Sequence, residues 1–132
     1  MTPSTIYAGT RNFVFKSIDS GATWKSVQTG ALFLMVPAIA INPLNPKIIV
    51  AGTFTGGIYR STDAAATWIQ VTAGLPSSPT IYGLSFSTTS PQTLLAAVRS
   101  SAGTDAYMVS GDSGATWAAI YPGLTHRKAR FQ

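Results

Sequence analysis

Apolar residues recur along this chain in short runs of period two, separated by clusters of Gly, Pro, Asn, Asp and Ser. In the middle of the chain PAIAIN (37–42) alternates, NPLNP turns, and KIIVAGT (47–53) forms a second run. GGIYRS (56–61) follows as a third, and TWIQVT (67–72) comes after the turn TDAAA. Alternation over four to eight residues between turn formers predicts half-buried strands rather than helices. The order recurs downstream as IYGLSFS, TLLAAVRS, AYMVS and TWAAIY, with the middle turn lengthened by SAGTD. Upstream it is shortened to IYAGT, FVFKS and TWKSV.

Two landmarks repeat in step. The tryptophans fall at 24, 68 and 117, spacings of 44 and 49. TPSTIYAGT (2–10), NPKIIVAGT (45–53) and SPQTLLAAV (90–98) align without gaps. Four short strands per repeat of this length predict an all-β chain of β-propeller-type blades, each of four antiparallel strands. About three blades fit in one domain: blade 1 over 1–30, blade 2 over 31–75 and blade 3 over 76–124. Blade 1 lacks its innermost strand, and a C-terminal strand over 125–132 is the candidate to complete it. Propellers have about four to eight blades. Completion by oligomerisation is therefore expected, with a dimer forming a six-bladed ring, or else the blades belong to a longer propeller.

The tryptophans close three octets: SIDSGATW, STDAAATW and SGDSGATW. Their pattern Ser-x-Asp-x-Gly-x-Thr-Trp resembles the Asp-box, or bacterial neuraminidase repeat, of sialidases, sortilin-type receptors, xyloglucan-degrading enzymes and photosystem II assembly factors. The pattern is complete at Ser17, Asp19, Gly21, Thr23 and Trp24, and again at Ser110, Asp112, Gly114, Thr116 and Trp117. In the middle box Ser61, Asp63, Thr67 and Trp68 hold, but Ala65 stands in place of Gly, so a distorted turn is expected there. Asp in a tight hairpin accepts backbone N–H groups, Gly supplies positive φ, and Trp buries a large ring. The resemblance implies a structural hairpin between the third and fourth strands at the outer rim. One carboxylate per box falls short of the six to eight oxygens that calcium takes, so no metal or cofactor is expected.

Composition narrows the function. There are no cysteines, which excludes disulfides and thiolate metal sites. The net charge of +5 comes from nine Lys and Arg against four Asp and no Glu, and Arg127, Lys128 and Arg130 sit with His126 in one short tail. No basic face with aromatic platforms accompanies them, so nucleic acid is not an expected partner. The longest apolar run, ALFLMVPAIAI, is interrupted by Pro37 and is too short to span a membrane. MTPSTIYAGT carries neither the basic nor the apolar region of a signal peptide, and the compartment stays open.

Once the boxes take Asp19, Asp63 and Asp112, Asp105 is the remaining acid. A glycosidase pair of carboxylates cannot be assembled, and a sialidase-like site would need a Glu that the chain lacks. His126 lies in the tail, and no nucleophile elbow or phosphate loop is present. No catalytic residue is assigned. The leading expectation is a non-catalytic binding module for a glycan or a protein surface, with Arg11, Arg60, Arg99, Tyr59 and Tyr107 as candidate binding residues. Phe54, Tyr7, Tyr82 and Tyr121 are further aromatic candidates. The alternatives are a fragment of a larger glycoside hydrolase or sialidase-like enzyme, whose catalytic residues lie in absent blades, and an assembly scaffold.

Overall fold

The alternating runs become strands because each presents one apolar face and ends in residues suited to tight turns. The computed structural model describes residues 4–27, 35–54 and 56–120. The strands are β1 (Ile6–Gly9), β2 (Val14–Ser17), β3 (Lys25–Ser26), β4 (Ala38–Ile41), β5 (Ile49–Gly52) and β6 (Ile58–Ser61). They continue as β7 (Ile69–Val71), β8 (Thr80–Phe86), β9 (Leu94–Arg99), β10 (Asp105–Ser110) and β11 (Ala118–Ala119). No helix occurs among the described residues.

These strands form three antiparallel meanders: β1-β2-β3, β4-β5-β6-β7 and β8-β9-β10-β11. The fold is thus all-β with four-stranded blades, the first showing three strands among the described residues. By alignment β1 to β3 correspond to β5 to β7, so the counterpart of β4 and β8 is not among the described residues. The expected strand over 125–132, Tyr121 and the basic tail lie outside the described residues. One local expectation changes: Asp105 was expected in the lengthened turn, but it opens β10 and stands opposite Arg99 in the ladder.

The two repeating landmarks are hydrogen-bonded to each other, which explains their common phase. Within each blade the second turn residue of the box donates its N–H to the carbonyl just after the landmark proline. These bonds run from Ser20 to Ser4 at 2.9 Å, from Ala64 to Lys47 at 3.0 Å and from Ser113 to Gln92 at 2.8 Å. The first-to-second strand turn and the box hairpin therefore share one end of every blade, here the box end. The second-to-third strand turns and the connections between blades occupy the opposite end.

The hydrophobic core is divided between the blade junctions. Val14, Ile49, Ala51, Ala65 and Trp68 fill the first, and Val50, Ile58, Leu94, Ala96, Met108 and Trp117 are prominent in the second. Trp68 and Trp117 each pack back against the preceding blade. The Trp68 indole N–H donates to the Val27 carbonyl at 2.6 Å, and the Trp117 backbone N–H donates to the Ala73 carbonyl at 3.1 Å. No blade packs against Trp24 among the described residues, and it is 44% exposed, against 6% and 5% for Trp68 and Trp117. Two glycines allow close approach at the junctions. A Cβ on Gly52 would overlap the Ile81 side chain of β8, and one on Gly9 would overlap the Val36 carbonyl leading into β4.

Candidate functional site

Each box is a closed network of hydrogen bonds. In the first, the Ser17 hydroxyl donates to Asp19 Oδ1 at 2.8 Å and accepts the Gly21 N–H at 2.8 Å. The Thr23 N–H donates to Asp19 Oδ1 at 2.8 Å, and the Thr23 hydroxyl donates to Oδ2 at 2.6 Å. The other two boxes repeat every one of these bonds. The Thr23 hydroxyl and N–H and the Ser17 hydroxyl lower the pKa of Asp19 to about 2, and Thr67 and Ser61 do the same for Asp63. For Asp112, partial burial pushes upward, but bonds from Ser110 and Thr116 outweigh it and hold the group at about 2. Carboxylates so engaged act as acceptors within their turns.

The middle box departs from the expectation of distortion. Ala65 adopts φ of 74°, in the same region as Gly21 at 94° and Gly114 at 91°. Its N–H still reaches Ser61 at 2.9 Å. The local network and burial of the methyl beside Trp68 hold the turn, so the cost of Ala appears as backbone strain with the geometry intact.

The boxes also receive a donor from the blade before. Lys16 Nζ donates to the Ala64 carbonyl at 3.0 Å, and Arg60 Nε donates to the Ser113 carbonyl at 2.9 Å. These basic residues occupy the same repeat position, directly before the serine of their own box. Arg60 is thereby engaged between blades. Tyr59 is half-buried against the first junction core, and Tyr107 is half-buried on β10. Arg11 is exposed in the β1–β2 turn, where its carbonyl accepts the Met35 N–H.

Arg99 lies at the other end of the strands, in a cluster of a different kind. Its Nε and Nη2 contact the two Asp105 carboxylate oxygens at 2.6 and 3.1 Å. Asp105 raises the Arg99 pKa further, so the guanidinium stays charged. The guanidinium carbon sits 5.7 Å from the Tyr82 ring centroid, and Tyr82 meets Phe54 edge to face with centroids 6.3 Å apart. Tyr82 and Phe54 remain 48% and 39% exposed. The ladder explains why Tyr82 is presented. Ile81 pairs with Val98 and Gly83 with Ala97, so Tyr82 is the extra residue of a bulge in β8. Bulges re-aim a side chain, and they are common beside functional sites. The underlying loop is tied down: the Thr80 hydroxyl donates to the Phe54 carbonyl at 2.7 Å, and the Ile81 N–H to the Thr53 carbonyl at 3.0 Å.

The Sortilin-Vps10 family model, described as sortilin, neurotensin receptor 3, matches residues 12–130. The chain belongs to this family. Among solved structures, this Sortilin-Vps10 chain superposes on a GH74 enzyme of Niastella koreensis with TM-score 0.77 and 21% identity. The GH74 xyloglucanase of Xanthomonas campestris gives TM-score 0.70 and 19% identity. A structure of YCF48 bound to D1 peptide gives 0.65 and 15%. The match covers 92% of this chain in all three cases, but only 20%, 22% and 39% of those proteins. At these identities the likeness shows the propeller-type fold alone. A search of curated proteins returns no match.

Of the candidates read from the sequence, Arg99, Tyr82 and Phe54 lie in this cluster, and Asp105 completes it. Two aromatic rings beside a planar ion pair suit a ligand with an apolar face and flanking hydroxyl or amide groups. The rings take the face, and the charged pair supplies directional donors and acceptors.

Proposed function

We propose that this member of the Sortilin-Vps10 family is a non-catalytic recognition module whose ligand is a glycan, bound at the end of the blades carrying Phe54, Tyr82, Arg99 and Asp105. The observation that carries this reading is the exposed aromatic pair with its adjoining ion pair, held out by a bulge. Among the described residues no second acid accompanies Asp105 there, because the other three serve the boxes. The xyloglucanase among the structural neighbours supports a β-glucan as the first glycan to try.

A second reading is favoured by the short span of the chain relative to the GH74 enzymes. In it, these blades are part of a larger glycoside hydrolase and present sugar to acids in other blades. Calorimetric titration of the full chain with xyloglucan oligosaccharides, preceded by a glycan array, tests the proposal. Binding is expected, weakened about tenfold or more by Tyr82→Ala and by Asp105→Asn with unchanged thermal unfolding. Absence of glycan binding at high protein concentration, or binding of peptides alone, overturns it. Release of reducing ends by the isolated chain would overturn the non-catalytic assignment.

A further inference from the structure

A groove of about 300 Å³ runs along β7, between blade 2 and the box hairpin of blade 3. It shares no residue with the Phe54, Tyr82, Arg99 and Asp105 cluster, and both of its walls are described residues. Val71 is buried in it, Arg60 and Ala115 line it half-buried, and Ile69 and Gln70 stand exposed along it.

Arg60 carries more hydrogen-bonding capacity than the junction uses. A guanidinium has five N–H donors. The one on Nε caps the Ser113 carbonyl at 2.9 Å, and those on Nη1 and Nη2 have no partner among the described residues. The carboxylate paired with a basic side chain among those residues is Asp105, with Arg99. Lys16 shows what capping alone requires. At the same position of blade 1 a single amine caps the Ala64 carbonyl, at 3.0 Å. Arginine at that position therefore leaves a planar pair of donors beside the groove, in the geometry that matches a carboxylate.

The backbone along the groove is open as well. Val27 donates its N–H to the Val14 carbonyl and Ile120 to that of Tyr107, each at 2.9 Å. Val71, opposite Ile58, is the repeat counterpart of both. Bonded and non-bonded pairs alternate along an antiparallel ladder, so Ile69 and Val71 turn their backbone groups toward β6. Gln70, between them, turns its N–H and C=O outward. β7 is the terminal strand of its sheet, and such an edge is a template for another extended chain. Ile69, opposite Arg60 in the ladder, is 73% exposed on it.

We infer that this groove binds an acidic peptide. An extended segment pairs with β7 at Gln70, sets a carboxylate side chain on the Arg60 guanidinium and rests an apolar side chain on Ile69. The open edge selects a polypeptide, and the unpaired guanidinium selects a carboxylate. Strand side chains alternate between faces, so the acidic and apolar residues stand two positions apart. The net charge of +5 favours the approach of such a segment. The site is independent of the glycan reading.

Fluorescence anisotropy of the full chain with short labelled peptides provides the test. Each peptide is acetylated and amidated, so that its carboxylate is a side chain, and carries glutamate and isoleucine two residues apart in a threonine background, in either order. Saturable binding is expected, weakening with added salt and falling about tenfold when glutamine replaces glutamate. Arg60→Lys should cost about as much with thermal unfolding unchanged, because lysine keeps the cap on Ser113 as Lys16 does on Ala64. Ile69→Ser should weaken binding, and Tyr82→Ala should leave it unaltered. The glutamine comparison needs no variant of the protein, and glycan binding enters none of these measurements. Absence of saturable binding in both orders, equal affinity for the glutamine peptides, full affinity in Arg60→Lys, or loss of affinity in Tyr82→Ala would each overturn the inference.

Discussion

Gly21 and Gly114 hold the same left-handed backbone, yet what surrounds them differs. A Cβ on Gly114 would lie 2.9 Å from Val50 Cγ2, whereas on Gly21 the nearest atom is 3.8 Å away in Trp24. Gly21→Ala should therefore cost about 1 kcal/mol for backbone strain alone. Gly114→Ala adds a clash and should cost about 2–3 kcal/mol. Urea denaturation of the two variants checks the difference, and equal costs would contradict it. The demand for glycine in the boxes was legible because the turn chemistry is local. The use of Arg60 was not, because its acceptor, Ser113, lies 53 residues away and only the packing of blades brings them together. Tyr82 was legible as an aromatic candidate, but its presentation depends on a bulge that alternation alone does not reveal.

At the scale of the hairpin, each box carboxylate is acceptor to its own turn, and this ties the hairpins to pH. Their folded pKa of about 2 lies below the value near 4 of an unfolded Asp. A depressed folded pKa stabilises above the unfolded value and loses that contribution as pH falls. The urea midpoint should hold steady between about pH 7 and 5, then drop between about pH 4 and 2. Asp112→Asn should lower the midpoint at neutral pH and flatten the fall. A midpoint level down to pH 2 would show that the boxes do not carry charge-dependent stability. The strands themselves were readable from alternation and turns, to within a residue or two at their ends. Asp105 was misplaced because SAGTD reads as a turn, whereas pairing with Arg99 extends the ladder by one more rung.

For the molecule as a whole, stability is distributed junction by junction, as in other repeat proteins. Among the described residues blade 2 is covered on both faces, and blades 1 and 3 on one each. Among the described strands, backbone amides of β5 should exchange slowest with solvent and those of β1 and β2 fastest. Exchange measured by mass spectrometry checks this, and uniform protection would contradict it. Blade number and phase were legible in the sequence because the Trp and Pro landmarks are bonded to each other within every blade. The aromatic and ion-pair cluster was legible only in part, since it draws residues from two blades.

The bonds from Lys16 to Ala64 and from Arg60 to Ser113 have a further consequence. Together they give blade 2 a chemical polarity, with the cationic Arg60 donor on one side and the Ala64 carbonyl acceptor on the other. Turning that blade over would set donor against donor and leave part-buried carbonyls without partners, a cost of about 1 kcal/mol for each such group. Stacking in this protein therefore has an arrow, written in the basic side chains that precede the first two boxes and independent of the covalent connection between blades.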